Sequence, residues 1–178
     1  MALAFSFSLL PSSPVRAQPR DEEIYESPWF IAIEGGVWRL LGSGREAFSD
    51  PAVVYITMGF NLSKEFREND SFEPLTWGPK LGIGVGTKKP GTGLVFYDVL
   101  VKIRYTFGER GDRIRPYADM GPGVLNYEAG AFQVEGGGGI DYYVGGGSFG
   151  INAQYKELVN ANKVDRGVAI LGTLGYHF

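Results

Sequence analysis

The stretch Val95-Phe-Tyr-Asp-Val-Leu-Val-Lys-Ile-Arg-Tyr-Thr-Phe107 decides the fold. Its odd positions, Val95, Tyr97, Val99, Val101, Ile103, Tyr105 and Phe107, are all apolar or aromatic. Asp98, Lys102, Arg104 and Thr106 stand at even positions. A period of two is that of a β-strand, whose successive side chains point to opposite faces. The run is 13 residues long. A strand in a globular protein usually has about 5–6, whereas a tilted strand that crosses a bilayer needs about 9–11.

The same alternation recurs on both sides of this stretch. It predicts strands at 29–38, 52–62, 75–87, 94–107, 115–126, 132–143, 148–157 and 167–178. In the seventh, Phe149, Ile151, Ala153 and Tyr155 oppose Asn152, Gln154 and Lys156. In the eighth, Val168, Ile170, Leu174, Tyr176 and Phe178 share a face. In the third, Leu75, Trp77, Leu81, Ile83 and Val85 oppose Thr76, Lys80 and three glycines. Helical periodicity is weak, and Gly and Pro interrupt the chain too often for long helices.

Composition narrows the choice further. A chain of 178 residues is a prior for one domain. With 17 basic and 20 acidic residues the net charge is −3, which argues against nucleic acid as a partner. There is no cysteine and a single histidine, so disulfides, thiol nucleophiles and multi-histidine metal sites are excluded. No uninterrupted apolar run reaches the ~18 residues of a membrane helix. A helical membrane protein is thereby excluded, but a membrane barrel, whose strands alternate, is not.

The sorting of charge tells which face is inside. The polar faces collect Glu34, Asp98, Asp119, Glu135 and Asp141 against Lys80, Lys102, Arg104, Arg115 and Lys156, while the opposite faces are nearly free of charge. A soluble lipocalin-like carrier would turn its apolar face inward and leave the other wet. Lipid outside and a charge-paired lumen inside account for the sorting directly. An eight-stranded barrel is just wide enough for side chains to fill it. With both chain ends on the periplasmic side, Trp29, Phe60, Trp77, Tyr105, Phe107, Tyr176 and Phe178 fall at one rim as an interfacial aromatic belt.

Residues 1–17 read as a signal peptide, ending at the small-x-Ala pattern Val15-Arg16-Ala17. Residues 18–28 read as a short periplasmic tail, and 29–178 as the barrel. Residues 39–51 and 158–166 are the long outer loops, and 63–74 holds a turn near Glu68-Asn-Asp-Ser71. Gly136–Gly139 lacks the Gly-Lys-Ser/Thr of a phosphate loop, so it reads as a bend or as room for large neighbours. Asp119, Glu135 and Asp141 read as members of ion pairs, not as a calcium site. Lys102 is expected to pair with Asp98 or Asp141. Gly82, Gly84 and Gly86, on the inner face of the third strand, leave space for a local cavity. His177 is assigned to the interface.

Three stretches carry a resemblance. Leu171-Gly-Thr-Leu-Gly-Tyr-His-Phe178 resembles the terminal strand of bacterial outer-membrane barrels, which ends in Phe after alternating apolar positions. That likeness implies recognition by the barrel assembly machinery. Arg115-Pro-Tyr-Ala-Asp-Met-Gly-Pro-Gly-Val124 resembles a strand of the small OmpA/OmpX/OmpW-type barrels. Residues 132–178 resemble the end of the lipid A deacylase (acyloxyacyl hydrolase) barrels, which carry His-x-Ser-Asn-Ala there. Here the stretch is Glu157-Leu-Val-Asn-Ala161. Asn160 and Ala161 match, but Glu157 replaces the catalytic histidine and Val159 the nucleophile. No Ser or Thr lies between Phe149 and Gly172, so the site implied by this likeness lacks its chemistry.

The expectation is therefore an all-β protein, an eight-stranded antiparallel up-and-down transmembrane β-barrel of the bacterial outer membrane. Its lumen would be mostly filled by paired charges, and its role structural or adhesive through its loops. It would be monomeric and without enzymatic activity, catalytic residues, metal or cofactor. Its partners would be outer-membrane lipid, lipopolysaccharide and the assembly machinery, not nucleic acid. The alternatives are an inactive deacylase-like barrel and a narrow OmpW-type channel for small solutes.

Overall fold

The structure is a computed structural model that describes residues 29–42, 44–61, 75–108, 112–127, 129–159 and 166–178. The expected signal peptide, the tail at 18–28, the turn near 68–71 and the positions Asn160 and Ala161 lie outside the described residues.

Eight strands and one short helix make up the described chain. They are β1 (Trp29–Leu41), α1 (Gly44–Ala47), β2 (Ala52–Asn61), β3 (Leu75–Lys88), β4 (Thr92–Thr106), β5 (Ile114–Tyr127), β6 (Ala129–Val144), β7 (Gly147–Val159) and β8 (Arg166–His177). Each strand pairs antiparallel with the next, and β8 returns to β1 to close the barrel. The closing seam runs from Phe30 opposite His177 to Leu41 opposite Arg166. Closure leaves no strand edge with unpaired backbone groups, which hydrocarbon would not tolerate. Gly145, at φ 57°, supplies the left-handed residue of the two-residue turn between β6 and β7.

Alternation along each strand sets the two environments. On β4, Asp98 and Lys102 are 1% and 4% exposed while Val99 and Val101 are 51% and 49% exposed. The same sorting holds around the wall, where Ile33, Ile83, Val124, Ile151, Ile170 and Leu174 face outward. Apolar residues outside and charged residues inside are the inverse of a water-soluble barrel and the pattern of a membrane-spanning one.

The glycines explain how the large inward side chains fit. A side chain at Gly82 would collide with the Tyr55 ring, one at Gly84 with the Phe96 ring, and one at Gly59 with Phe30. Gly86 lies against Pro51. The cavity expected over Gly82, Gly84 and Gly86 is therefore reduced to a void of about 10 Å3 beside Gly86. Gly82 and Gly84 make room for rings contributed by β2 and β4, neighbours that the spacing of β3 alone does not specify.

The stretch at 39–51 is not the open loop expected. β1 continues to Leu41, and the chain then folds back through α1 over the lumen. Phe48 is buried and bridges to Lys88. Ser49 N–H donates to the Thr87 carbonyl and Thr87 N–H to Ser49 Oγ, each at 2.8 Å. Leu40 N–H donates to Asp50 Oδ1 at 2.9 Å. Each bond satisfies a polar group that would be orphaned where the loop turns inward.

Candidate functional site

The lumen is divided into two parts. Near α1 it is apolar: Trp38, Leu40, Phe48, Val53, Phe96, Leu125, Leu158 and Leu171 form one buried cluster. Trp38 meets Phe96 edge-on, with ring centroids 5.7 Å apart. Below this plug lie the charged residues. The plug was not expected, although parity foreshadows it. Trp38 and Leu40 share the face of Glu34, and Phe96 shares that of Asp98.

Glu135 on β6 is the hub of the charged part. Its Oε1 lies 2.9 Å from both Lys80 and Lys102, and its Oε2 lies 2.6 Å from Lys156. Each lysine reaches a second acid: Lys80 pairs with Glu34 at 2.9 Å, Lys102 with Asp119 at 2.9 Å, and Lys156 with Asp98 at 2.6 Å. Arg104 lies 3.4 Å from Asp141, 3.6 Å from Asp119 and 3.9 Å from Glu34. Thr57 donates to Glu34, and Gln133 donates to Asp98. Charges removed from water are tolerated only when paired, and each cation of the set has at least two acids within 4.0 Å.

Aromatic faces line the same space. The Lys80 ammonium lies 4.2 Å from the centroid of the Tyr55 ring, and the Arg104 guanidinium lies 3.9 Å from that of Tyr117. Arg115 lies nearer the rim. It donates to the Asp112 carbonyl at 3.3 Å and sits 5.7 Å from the Tyr143 ring. The structure thus joins Glu34, Lys80, Asp98, Lys102, Arg104, Asp119, Glu135, Asp141 and Lys156 in one connected set, and Arg115 stands toward the rim.

The partners expected for Lys102 are corrected. Asp98 is four residues away on the same strand, about 13 Å at ~3.3 Å per residue, and it turns to Lys156. Asp141 turns to Arg104. Lys102 reaches Asp119 and Glu135 instead, Glu135 standing opposite Gly121 in the β5–β6 ladder.

The seven belt aromatics all face outward at the rim that carries the chain ends. Trp29 stacks on Phe178 at 3.8 Å, Phe60 meets Trp77 at 5.9 Å, and Tyr105 meets Phe107 at 4.9 Å. Tyr176 packs edge-on against Phe178 at 4.9 Å. Tyr142 and Phe149, 5.1 Å apart, continue the row and were not expected in it. Phe149 has the outward parity of β7, so its place was readable.

Glu157 and Val159 both face outward near the end of β7. Glu157 stands opposite Arg166 in the ladder to β8. His177 lies at the far rim, tilted against Phe30 and Tyr143, with Ser148 Oγ 3.3 Å from Nε2. No group of three metal-ligating side chains occurs among the described residues.

No protein-family model and no curated protein sequence matches the chain. Solved structures do. Neisserial surface protein A (NspA) is similar over 85% of this chain and 98% of its own, at 12% identity and a TM-score of 0.65. The outer-membrane enzyme PagL is similar over 84% and 99%, at 15% identity and a TM-score of 0.47. The N-terminal barrel of Pseudomonas aeruginosa OprF is similar over 84% and 97%, at 19% identity and a TM-score of 0.44. At such identities a likeness is one of fold. With a closed wall of eight antiparallel strands, apolar without and charged within, this chain has the fold of the small outer-membrane β-barrels.

Proposed function

We propose that the protein is a non-conducting barrel of the bacterial outer membrane with a structural or surface-interaction role, and not a channel or an enzyme. The observation that supports this most is the double obstruction of the lumen. The Glu135-centred ion pairs fill its middle, and the Trp38–Phe48–Phe96 plug fills the end under α1. A solute would have to displace both. Its partners in this reading are membrane lipid and lipopolysaccharide at the wall, and the assembly machinery at β8. The barrel works as a monomer.

Planar-bilayer recording of the purified, refolded chain tests the reading. The expected record has no discrete openings; stepwise conductance would replace this function with that of a narrow solute channel. Fractionation tests residence: the chain should sediment with outer membranes and change gel mobility on boiling. An unshifted band in the soluble fraction would overturn it. The outward face of β7 from Phe149 to Val159 carries no serine or threonine. Purified barrel mixed with lipid A should therefore release no 3-hydroxy fatty acid, and such release would restore the deacylase reading.

A further inference from the structure

The outer wall is not uniformly convex. From the β1–β8 seam round to Ile140 on β6 and Ile114 on β5 it forms an open apolar groove of about 770 Å3. Gly35 and Gly172 lie opposite each other in the seam and form its floor. A Cβ on Gly35 or Gly172 would come no nearer than 4.0 or 3.9 Å to a carbonyl oxygen, so the space above the floor is open. Ile33, Leu174, Phe149 and Ile151 wall it, each more than 50% exposed. The volume falls within the ~300–1,000 Å3 common for small-molecule sites.

We propose that this groove seats one acyl chain of a phosphate-bearing membrane lipid whose headgroup lies beside Arg39. From the belt residue Phe149 the groove rises to Gly35 on the band of wall that hydrocarbon surrounds, so acyl chains are its natural contents. Arg39 is exposed on the outward face of β1, four residues beyond Gly35. That is about 13 Å along the strand at ~3.3 Å per residue. One leaflet of a ~30 Å hydrocarbon core is ~15 Å deep, so a single chain spans from the cation to the groove. Charge selects the headgroup. Arg166 faces Glu157 across β7 and β8, whereas the row of Arg39 continues through Val168 to Tyr155, and Asp50 on its other side already accepts from the Leu40 N–H. A guanidinium suits a phosphate oxygen, and Tyr155 stands two strands away in the same row.

The inference rests on the membrane-spanning architecture, so only barrels that shift on boiling are scored, which separates misfolding from loss of the seat. The probe is phosphatidylglycerol, spin-labelled near the end of one acyl chain, in phosphatidylcholine vesicles. Wild-type barrel should hold a motionally restricted fraction that Gly172→Leu lowers by one lipid equivalent per barrel. Val99→Ile on the far wall should leave that fraction unchanged. Arg39→Gln should reduce the preference for phosphatidylglycerol over phosphatidylcholine by roughly fivefold, the effect of one cation at a charged surface. An unchanged restricted fraction in Gly172→Leu would overturn the seat. So would self-crosslinking that Gly172→Leu abolishes, because a second copy would then occupy the groove. An unchanged preference in Arg39→Gln would overturn the headgroup assignment.

Discussion

Glu135 holds three ammonium groups on two oxygens at zero exposure. Glu135→Gln keeps the shape and removes the one acid that Lys80, Lys102 and Lys156 share, breaking three buried contacts and leaving each lysine a single acid. Breaking a buried pair in this way costs about 3–5 kcal/mol, which urea unfolding of the refolded barrel measures. A loss below about 1 kcal/mol would mean that water already solvates the lumen, as it does for exposed pairs. The outward neighbour of Lys102 behaves oppositely. Val101→Arg places a charge against hydrocarbon and should cost about 2–4 kcal/mol near the midplane, whereas Thr106→Arg, half-buried at the rim end of β4, should cost less. Equal penalties in folding titrations would mean that no lipid covers the wall. Facing was legible at this scale because period two in Val95–Phe107 admits only one assignment once the charges choose a side. The partners of Lys102 were not, because pairing across a lumen depends on strand stagger, which one strand's spacing does not record.

The strands were legible to within three residues at their ends, since each carries enough alternating apolar residues to declare its period. β6 begins at Ala129 rather than near Phe132 because its ladder to β5 holds small residues that give no hydrophobic signal. The hardest element to foresee was α1 with its flanks. Polar residues at 42–50 suggest an exposed loop, yet Phe48 among them finds Trp38, Leu40 and Phe96 inside the barrel. A single aromatic in a polar stretch does not announce burial. β8 closes the wall, and Phe178 just beyond it donates its N–H to the Trp29 carbonyl and stacks on that indole. Phe178→Ala removes one ring pair, worth about 0.5–1.5 kcal/mol beyond its area, and about 1.5–3 kcal/mol of burial at most. Refolding into detergent should therefore survive with a modestly lowered midpoint. If strand recognition by the assembly machinery runs through this residue, insertion in cells should fall far more than refolding does. An equal loss in both assays would make Phe178 a packing residue only.

Over the whole molecule, the proposed function requires that lipid cover the outside and that the inside be shut to both lipid and water. The chain offers its own reporters, having three tryptophans. Trp77 faces outward at 45% exposure, Trp29 does so at 42%, and Trp38 lies in the plug at 1%. The decisive measurement is fluorescence quenching of barrels that retain a single tryptophan, reconstituted in vesicles with brominated acyl chains or with aqueous iodide. Trp77 should be quenched strongly by lipids brominated close to the headgroup, as an interfacial belt residue requires, while Trp38 should be quenched by neither agent. Quenching of Trp38 by iodide would show an open, wet lumen. Quenching of Trp38 by brominated lipid, with Trp77 unaffected, would show that the two faces are reversed and would contradict the account outright.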